Sequence, residues 1–222
     1  DWMIVDHYAI DETWQLQLKN TYEKLMVIDD LGNRKHICDI LLDQTFGRKK
    51  TDYEALVPKH CKLLIGSQYA LLRSDFTKWR KYSLRRRVNP QFRKLLITMG
   101  GVDFNNITGQ VLDIIKNCKL PKCLEIVVIM GAAAPHIETV NKQAKMMPYK
   151  TLVRSNVANM AEIMADVDLA IGAAGTTTWE RCCLGVPSIQ MVLANNQIEV
   201  AKKLDSVGAS YYLERIDWLC ES

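Results

Sequence analysis

The sequence predicts an α/β protein made of two Rossmann-like parallel-sheet domains, the N-terminal one incomplete. Short apolar runs without period-two alternation recur along the chain, as expected of strands buried on both faces. In the second half these runs mostly end in glycine and lead into helix-length stretches, the signature of a doubly wound sheet. A basic, turn-containing stretch separates the two series. Between Lys78 and Lys94 lie eight basic residues and no acidic one, with Asn89-Pro90 as a turn signal.

In the first series, Met3-Ile4-Val5 ends at Asp6, Leu25-Met26-Val27-Ile28 at Asp29-Asp30, Ile40-Leu41-Leu42 at Asp43, and Leu63-Leu64-Ile65 at Gly66. Between the first two runs Asp11 can cap a helix in which Trp14 and Leu18 recur at helical spacing. In the second series, a strand at 95–98 enters Met99-Gly100-Gly101 and a helix over 108–117. A strand at 126–129 enters Gly131 and a helix over 135–145. A strand at 151–153 and a helix over 157–165 follow. A strand at 169–171 then enters Gly172-Ala173-Ala174-Gly175, with a helix over 177–184 and a last strand at 188–192. The domain expectation is a partial N-terminal domain over 1–77, a basic linker over 78–92, and a C-terminal domain over 93–222.

With 48% hydrophobic and 24% charged residues the chain is not a disordered one, and no apolar run approaches the roughly 18 residues of a membrane span. The seven cysteines are odd in number and lack a CxxC pair, which points to reduced thiols and a cytoplasmic protein. The chain opens on Asp1-Trp2 in an apolar run, with no signal peptide ahead of it, and is expected to be cut from something longer. Of its 29 basic residues, the 21 outside the 78–94 stretch face 25 acidic ones. That stretch is either a phosphate or nucleic-acid patch or a solvated linker; nucleic-acid surfaces usually interleave aromatics with charge, so the linker is preferred.

The strongest chemical signal is Gly172 to Glu180. Small residues at a strand end let a ligand approach the backbone, and Thr176, Thr177 and Thr178 then open a helix whose free N–H groups and positive dipole end attract phosphate. Glu180, a turn further on, can accept two hydrogen bonds from a ribose diol; the plainer alternative is a capped helix with a first-turn carboxylate. No GxGxxG follows any strand, so a nicotinamide dinucleotide cofactor is not expected. Gly100-Gly101 is a second glycine turn, either turn chemistry alone or a phosphate contact. Asn196 and Gln197 can add amide contacts, and His136 is read as a surface or capping histidine. Asp6-His7-Tyr8 ends a strand where active sites form. Asp29, Asp30 and Asp43 invite a metal, but their spacing supports none. Cys182 and Cys183 are expected in the core.

These residues carry a resemblance. The chain resembles the nucleotide-sugar hydrolases of pseudaminic acid biosynthesis, which remove UDP from UDP-2,4-diacetamido-2,4,6-trideoxy-β-L-altropyranose. They are relatives of two-domain GT-B glycosyltransferases such as the lipid II GlcNAc transferase. The matching stretches are 5–9, 27–31, 38–44, 69–73, 100–103 and 172–187, and the run from Gly175 to Gly185 is the most specific. The resemblance implies a GT-B fold whose C-terminal domain holds UDP. Gly175, Thr176 and Thr177 would lie near the diphosphate and Glu180 on the ribose. Gly100 and Gly101 would face the diphosphate, Asn196 and Gln197 the pyrophosphate or sugar, and Tyr8 would border the sugar. No cofactor, metal or nucleic acid is implied, and the partner is a UDP-sugar. Ala174, Thr45 and Ala134 depart from the usual glycine, asparagine and asparagine. The family's histidine base sits in a GxGH loop that none of His7, His36, His60 or His136 matches, so it is expected upstream of Asp1. Water attack at the anomeric carbon is thus the first expectation, glycosyl transfer from the same site the second, and a non-catalytic binding module the third.

Overall fold

The computed structural model describes residues 1–214 and divides into two compact units, with the division between Leu71 and Leu72. The first unit contains β1 (Trp2–Val5), α1 (Glu12–Gln17), β2 (Lys24–Ile28), β3 (Ile40–Asp43) and β4 (Lys62–Ile65). Its four strands are parallel and lie in chain order. Val5, Leu25, Val27, Leu41, Tyr53 and Ile65 close its core, while Trp2 and Ile4 stand exposed on the edge strand β1. Asp11 caps α1 as its sequence position suggests, accepting from the Thr13 and Trp14 N–H groups at 3.0 and 3.2 Å.

The buried face of α1 is not the Trp14–Leu18 face. Trp14 is 38% exposed, whereas Gln15 is fully buried. The loop between β2 and β3 packs on this helix and brings peptide groups that need partners. Gln15 supplies them: its carbonyl accepts from the Ile37 N–H at 2.9 Å, and its amide donates to His36 Nδ1 at 2.8 Å.

The second unit contains α2 (Ser74–Arg86), β5 (Lys94–Thr98), α3 (Ile107–Asn117), β6 (Glu125–Met130), α4 (Ile137–Lys145) and β7 (Lys150–Ser155). It continues with α5 (Met160–Ala165), β8 (Leu169–Ala173), α6 (Thr177–Leu184), β9 (Ser188–Met191), α7 (Ile198–Ser206) and β10 (Tyr211–Leu213). All six strands are parallel, in the order β10-β9-β8-β5-β6-β7. The chain builds outward through β6 and β7, then returns to lay β8 on the other side of β5. One core, around Leu95, Ile97, Leu112 and Val128, covers one face of the sheet. The other, around Leu96, Val127, Met164 and Leu184, covers the opposite face and includes Phe76 of α2.

That helix corrects the expected linker over 78–92 and moves the expected break at 77–93 to Leu71–Leu72. Its phenylalanine is fully buried, and Ser83 donates to the Leu184 carbonyl at 2.6 Å. Arginines that looked solvated in sequence satisfy the ends of neighbouring helices, where carbonyls are unpaired and the dipole is negative. Arg80 donates to the Cys183 carbonyl, and Arg87 reaches the carbonyls of Met164 at 3.3 Å and Val167 at 2.9 Å. Arg86 pairs with Asp168 at 2.6 Å. A run of like charge resembles a solvated surface when its partners lie about eighty to a hundred residues away.

Candidate functional site

Strand order reverses between β5 and β8, where Thr98 is in register with Gly172. Ligands of doubly wound sheets bind beyond the carboxyl ends of the strands at such a reversal. The two glycine turns singled out from sequence follow these two strands. After β5, Gly100 takes a left-handed φ of +87°, and nothing lies within 4 Å of where a β-carbon on Gly100 or Gly101 would stand. Both therefore border open space. A β-carbon on Gly131 would lie 1.8 Å from the Gly101 carbonyl oxygen, so only glycine at 131 lets this loop rest on the end of β6.

The two helices beyond these turns are not equivalent. Asp103 accepts from the Ile107 and Thr108 N–H groups at 2.8 and 2.9 Å, and the Asn106 side chain accepts from Gly109. The N-terminus of α3 is thus occupied by the protein's own carboxylate. His136 donates from Nε2 to the Phe104 carbonyl at 2.9 Å and latches the same loop. By contrast, among the described residues no side chain caps α6. The Thr178 and Trp179 N–H groups donate to the Gly175 and Thr176 carbonyls at 3.0 and 3.1 Å, and the positive dipole end lies beside Thr176, which is exposed, and Thr177, which is half-buried.

Further groups gather at this end of the sheet. Asn195–Gln197 forms a 3-10 turn after β9. The Gln197 carbonyl accepts from the Leu193 N–H at 2.9 Å, which holds the turn, and its amide nitrogen lies 4.0 Å from the β-carbon position of Gly175. Asn196 is exposed. Glu180 is half-buried, and among the described residues its carboxylate accepts no hydrogen bond. Burial pushes its carboxyl above the usual range, while Arg73 and Arg181 oppose that shift.

The structure turns α6 differently from the sequence expectation. Cys182 is exposed and so is not a core residue, whereas Cys183 is half-buried and packs against the core; Arg181 and Leu184 face fully inward. The reason lies under the helix, where Gly172 leaves room for a guanidinium. A β-carbon there would sit 2.7 Å from Arg181 Nη1. Sequence reasoning missed Arg181, and its one signal is a glycine inside a strand nine residues ahead.

In the first unit, Tyr8 follows β1 and is exposed, its hydroxyl donating to Asp30 Oδ2 at 3.2 Å. Burial and Asp30 push its phenol up. Asp29 and Asp43, at the ends of β2 and β3, form a buried network. The Tyr53 hydroxyl lies 3.0 Å from Asp29 Oδ2 and from Asp43 Oδ2, sharing its proton between them. Arg34 pairs with Asp29 at 2.8 Å and Arg48 with Asp43 at 2.7 Å. These carboxylates are consumed in holding loops together. Among the described residues no group of three or more His, Cys, Asp or Glu side chains is placed to hold a metal ion, and no helix is long and apolar enough to cross a membrane.

The chain is 28% identical over 203 residues to the uncharacterized protein MJ1062 of Methanocaldococcus jannaschii, covering 90% of this chain and 41% of that protein. It is also 28% identical to the UDP-2,4-diacetamido-2,4,6-trideoxy-beta-L-altropyranose hydrolase of Campylobacter jejuni, over 93% of this chain and 71% of that enzyme. The chain therefore spans about two fifths of the first relative and about seven tenths of the second. Among solved structures, MurG of Acinetobacter baumannii shares the fold with a TM-score of 0.61 at 15% identity, over 95% of this chain and 60% of that one. The structural neighbours are GT-B glycosyltransferases, and the two sheets conform to that α/β class. Residues 94–221 match the model of the glycosyltransferase family 28 C-terminal domain, and the chain belongs to that family.

Proposed function

We propose that the chain binds the UDP portion of a UDP-sugar on its second unit and serves an enzyme that releases UDP by attack of water at the anomeric carbon. The observation that carries this reading is the uncapped N-terminus of α6 at the strand-order reversal, with an unbonded carboxylate one turn along it. Gly175, Thr176 and Thr177 receive the diphosphate, since free N–H groups and hydroxyls there donate to anionic oxygens. Glu180 accepts from the ribose hydroxyls. Gly100 and Gly101 face the diphosphate from the neighbouring strand end, where no side chain blocks the approach. Asn196 and the free amide of Gln197 contact the pyrophosphate or sugar. Departure of UDP builds charge on the diphosphate. Preorganised donors at a helix start stabilise that charge, each removed donor costing about 3–4 kcal/mol in comparable sites.

The substrate reading is supported by the name of the Campylobacter jejuni relative, a hydrolase of the diacetamido-trideoxy-altropyranose nucleotide. Glycosyl transfer is the second reading, favoured by the family match and by the fold of MurG. Incubation with that nucleotide-sugar, with chromatographic detection of UDP, separates them. UDP formed without any acceptor supports hydrolysis, and UDP formed only when an acceptor hydroxyl is added supports transfer. A protein that neither binds nor releases UDP refutes both.

A further inference from the structure

Arg181 is 1% exposed, yet among the described residues it makes no ion pair. Helical side chains lean toward the helix start, and this one runs back under the first turn of α6. Its guanidinium donates to Thr177 Oγ1 at 3.1 Å, to Thr178 Oγ1 at 3.1 Å and to the Ala173 carbonyl at 2.9 Å, while Nε has no partner. Burial lowers it to about 10, so it stays charged at neutral pH. A buried cation normally carries an acidic partner. This one instead lies beneath the positive end of a helix dipole, where a second positive charge is repelled.

A second observation points the same way. Gln190 is in register with Gly172, and side-by-side residues of parallel strands project to the same face of the sheet. The face of Gly172 is the one occupied by Arg181. Gln190 is 1% exposed, and among the described residues neither its Oε1 nor its Nε2 has a hydrogen-bond partner. An unpaired cation and an unpaired amide thus lie under one helix start. Their arrangement is balanced when an anion sits on the outer side of that start.

We propose that Arg181 is a positioning residue for the diphosphate: its buried charge and the threonine hydroxyls it fixes convert the first turn of α6 into a dianion site. Because Thr177 Oγ1 accepts from Arg181, its own hydrogen is directed elsewhere and donates to a phosphoryl oxygen. This rests on the UDP reading above and assigns the electrostatics of that site.

The test is calorimetry on the whole chain with UDP, uridine and inorganic pyrophosphate, for the wild type, Arg181→Met, Arg181→Lys and Thr177→Val. Removing a charge-assisted interaction is expected to weaken UDP and pyrophosphate by about 10- to 100-fold in Arg181→Met, with uridine changed less than about twofold. Arg181→Lys keeps the charge without the planar fork and falls between. Thr177→Val weakens UDP by about 5- to 10-fold with uridine again unchanged. The unliganded thermal midpoint of Arg181→Met holds or rises, because methionine replaces a buried, unpaired ion. An Arg181→Met protein with the wild-type ratio of UDP to uridine affinity overturns the proposal. If that variant does not fold, unchanged UDP affinity in Thr177→Val overturns it. A wild type that binds pyrophosphate but not uridine defeats the nucleoside part of the proposed function and leaves the role of Arg181 standing; a wild type that binds neither UDP nor pyrophosphate defeats both.

Discussion

Glu180 carries opposite consequences for folding and for binding. Burial holds its carboxyl above the usual glutamate range, so the folded chain binds that proton more tightly than the unfolded chain does. Stability from this group is complete below the ordinary value and is lost as pH rises through the raised one. Glu180→Gln removes that cost. The unliganded variant is expected to melt at or slightly above the wild type at pH 7, and the difference should vanish in acid when melting is followed across pH. Binding moves the other way. A charged acceptor exceeds a neutral one by about 1.4 kcal/mol on a ribose diol, so UDP affinity should fall about tenfold. Affinity for 2′,3′-dideoxy-UDP should be unchanged, because the partner hydroxyls are gone. Equal loss for both ligands in calorimetry would mark Glu180 as structural.

The element whose role is least apparent from its composition is α2. Its arginines close the C-termini of α5 and α6, and Asp168 ties it to the sheet. That carboxylate accepts from the N–H groups of Arg93 and Lys94, both at 2.8 Å, and pairs with Arg86. Burial pushes Asp168 up, but these donors outweigh burial and hold it below the usual aspartate range. Its contribution is present above the ordinary aspartate value and is lost as pH falls through the lowered one. Asp168→Asn should cost about 1.5–3 kcal/mol at pH 7, the usual worth of hydrogen bonds to a charged group. Denaturant titrations at pH 7 and pH 3 should show the gap closing in acid. An equal gap at both values would mean that shape, not charge, is what Asp168 supplies.

For the molecule as a whole, the division at Leu71–Leu72 sets where the chain can be cut. A fragment starting at Leu72 retains α2, with Phe76 fully buried and Ser83 bonded to α6. A fragment starting at Arg93, the break expected from sequence, uncovers one face of the sheet. Burying one phenylalanine is worth about 1.5–3 kcal/mol, and the arginine contacts to helix ends add to that. The longer fragment should unfold cooperatively and bind UDP, since every proposed UDP contact lies within it. The shorter should melt well below it or aggregate. Circular dichroism and calorimetry on the two decide the matter, and equal midpoints would show that α2 is dispensable.

Alternation of apolar runs, glycine turns and helix caps was legible along the chain because each depends on neighbours within a few residues. Strands β5 to β9, the helices between them and the cap at Asp11 all lie where that local chemistry puts them, and the turns at Gly100 and Gly175 fall at one strand-order reversal. Tertiary structure alone decided three things. It occupied the start of α3 with Asp103 and left the start of α6 open. It turned Arg80, Arg86 and Arg87 of a basic stretch toward helix ends and Asp168, leaving Lys78, Lys81 and Arg85 exposed. It also rotated α6 so that Arg181, not Cys182, faces the sheet, with Cys183 half-buried at the margin of the core. The physical reason is common to all three: the direction of a polar side chain is chosen by carbonyls, hydroxyls and dipole ends that the fold brings near, and residue type does not encode where those partners will be.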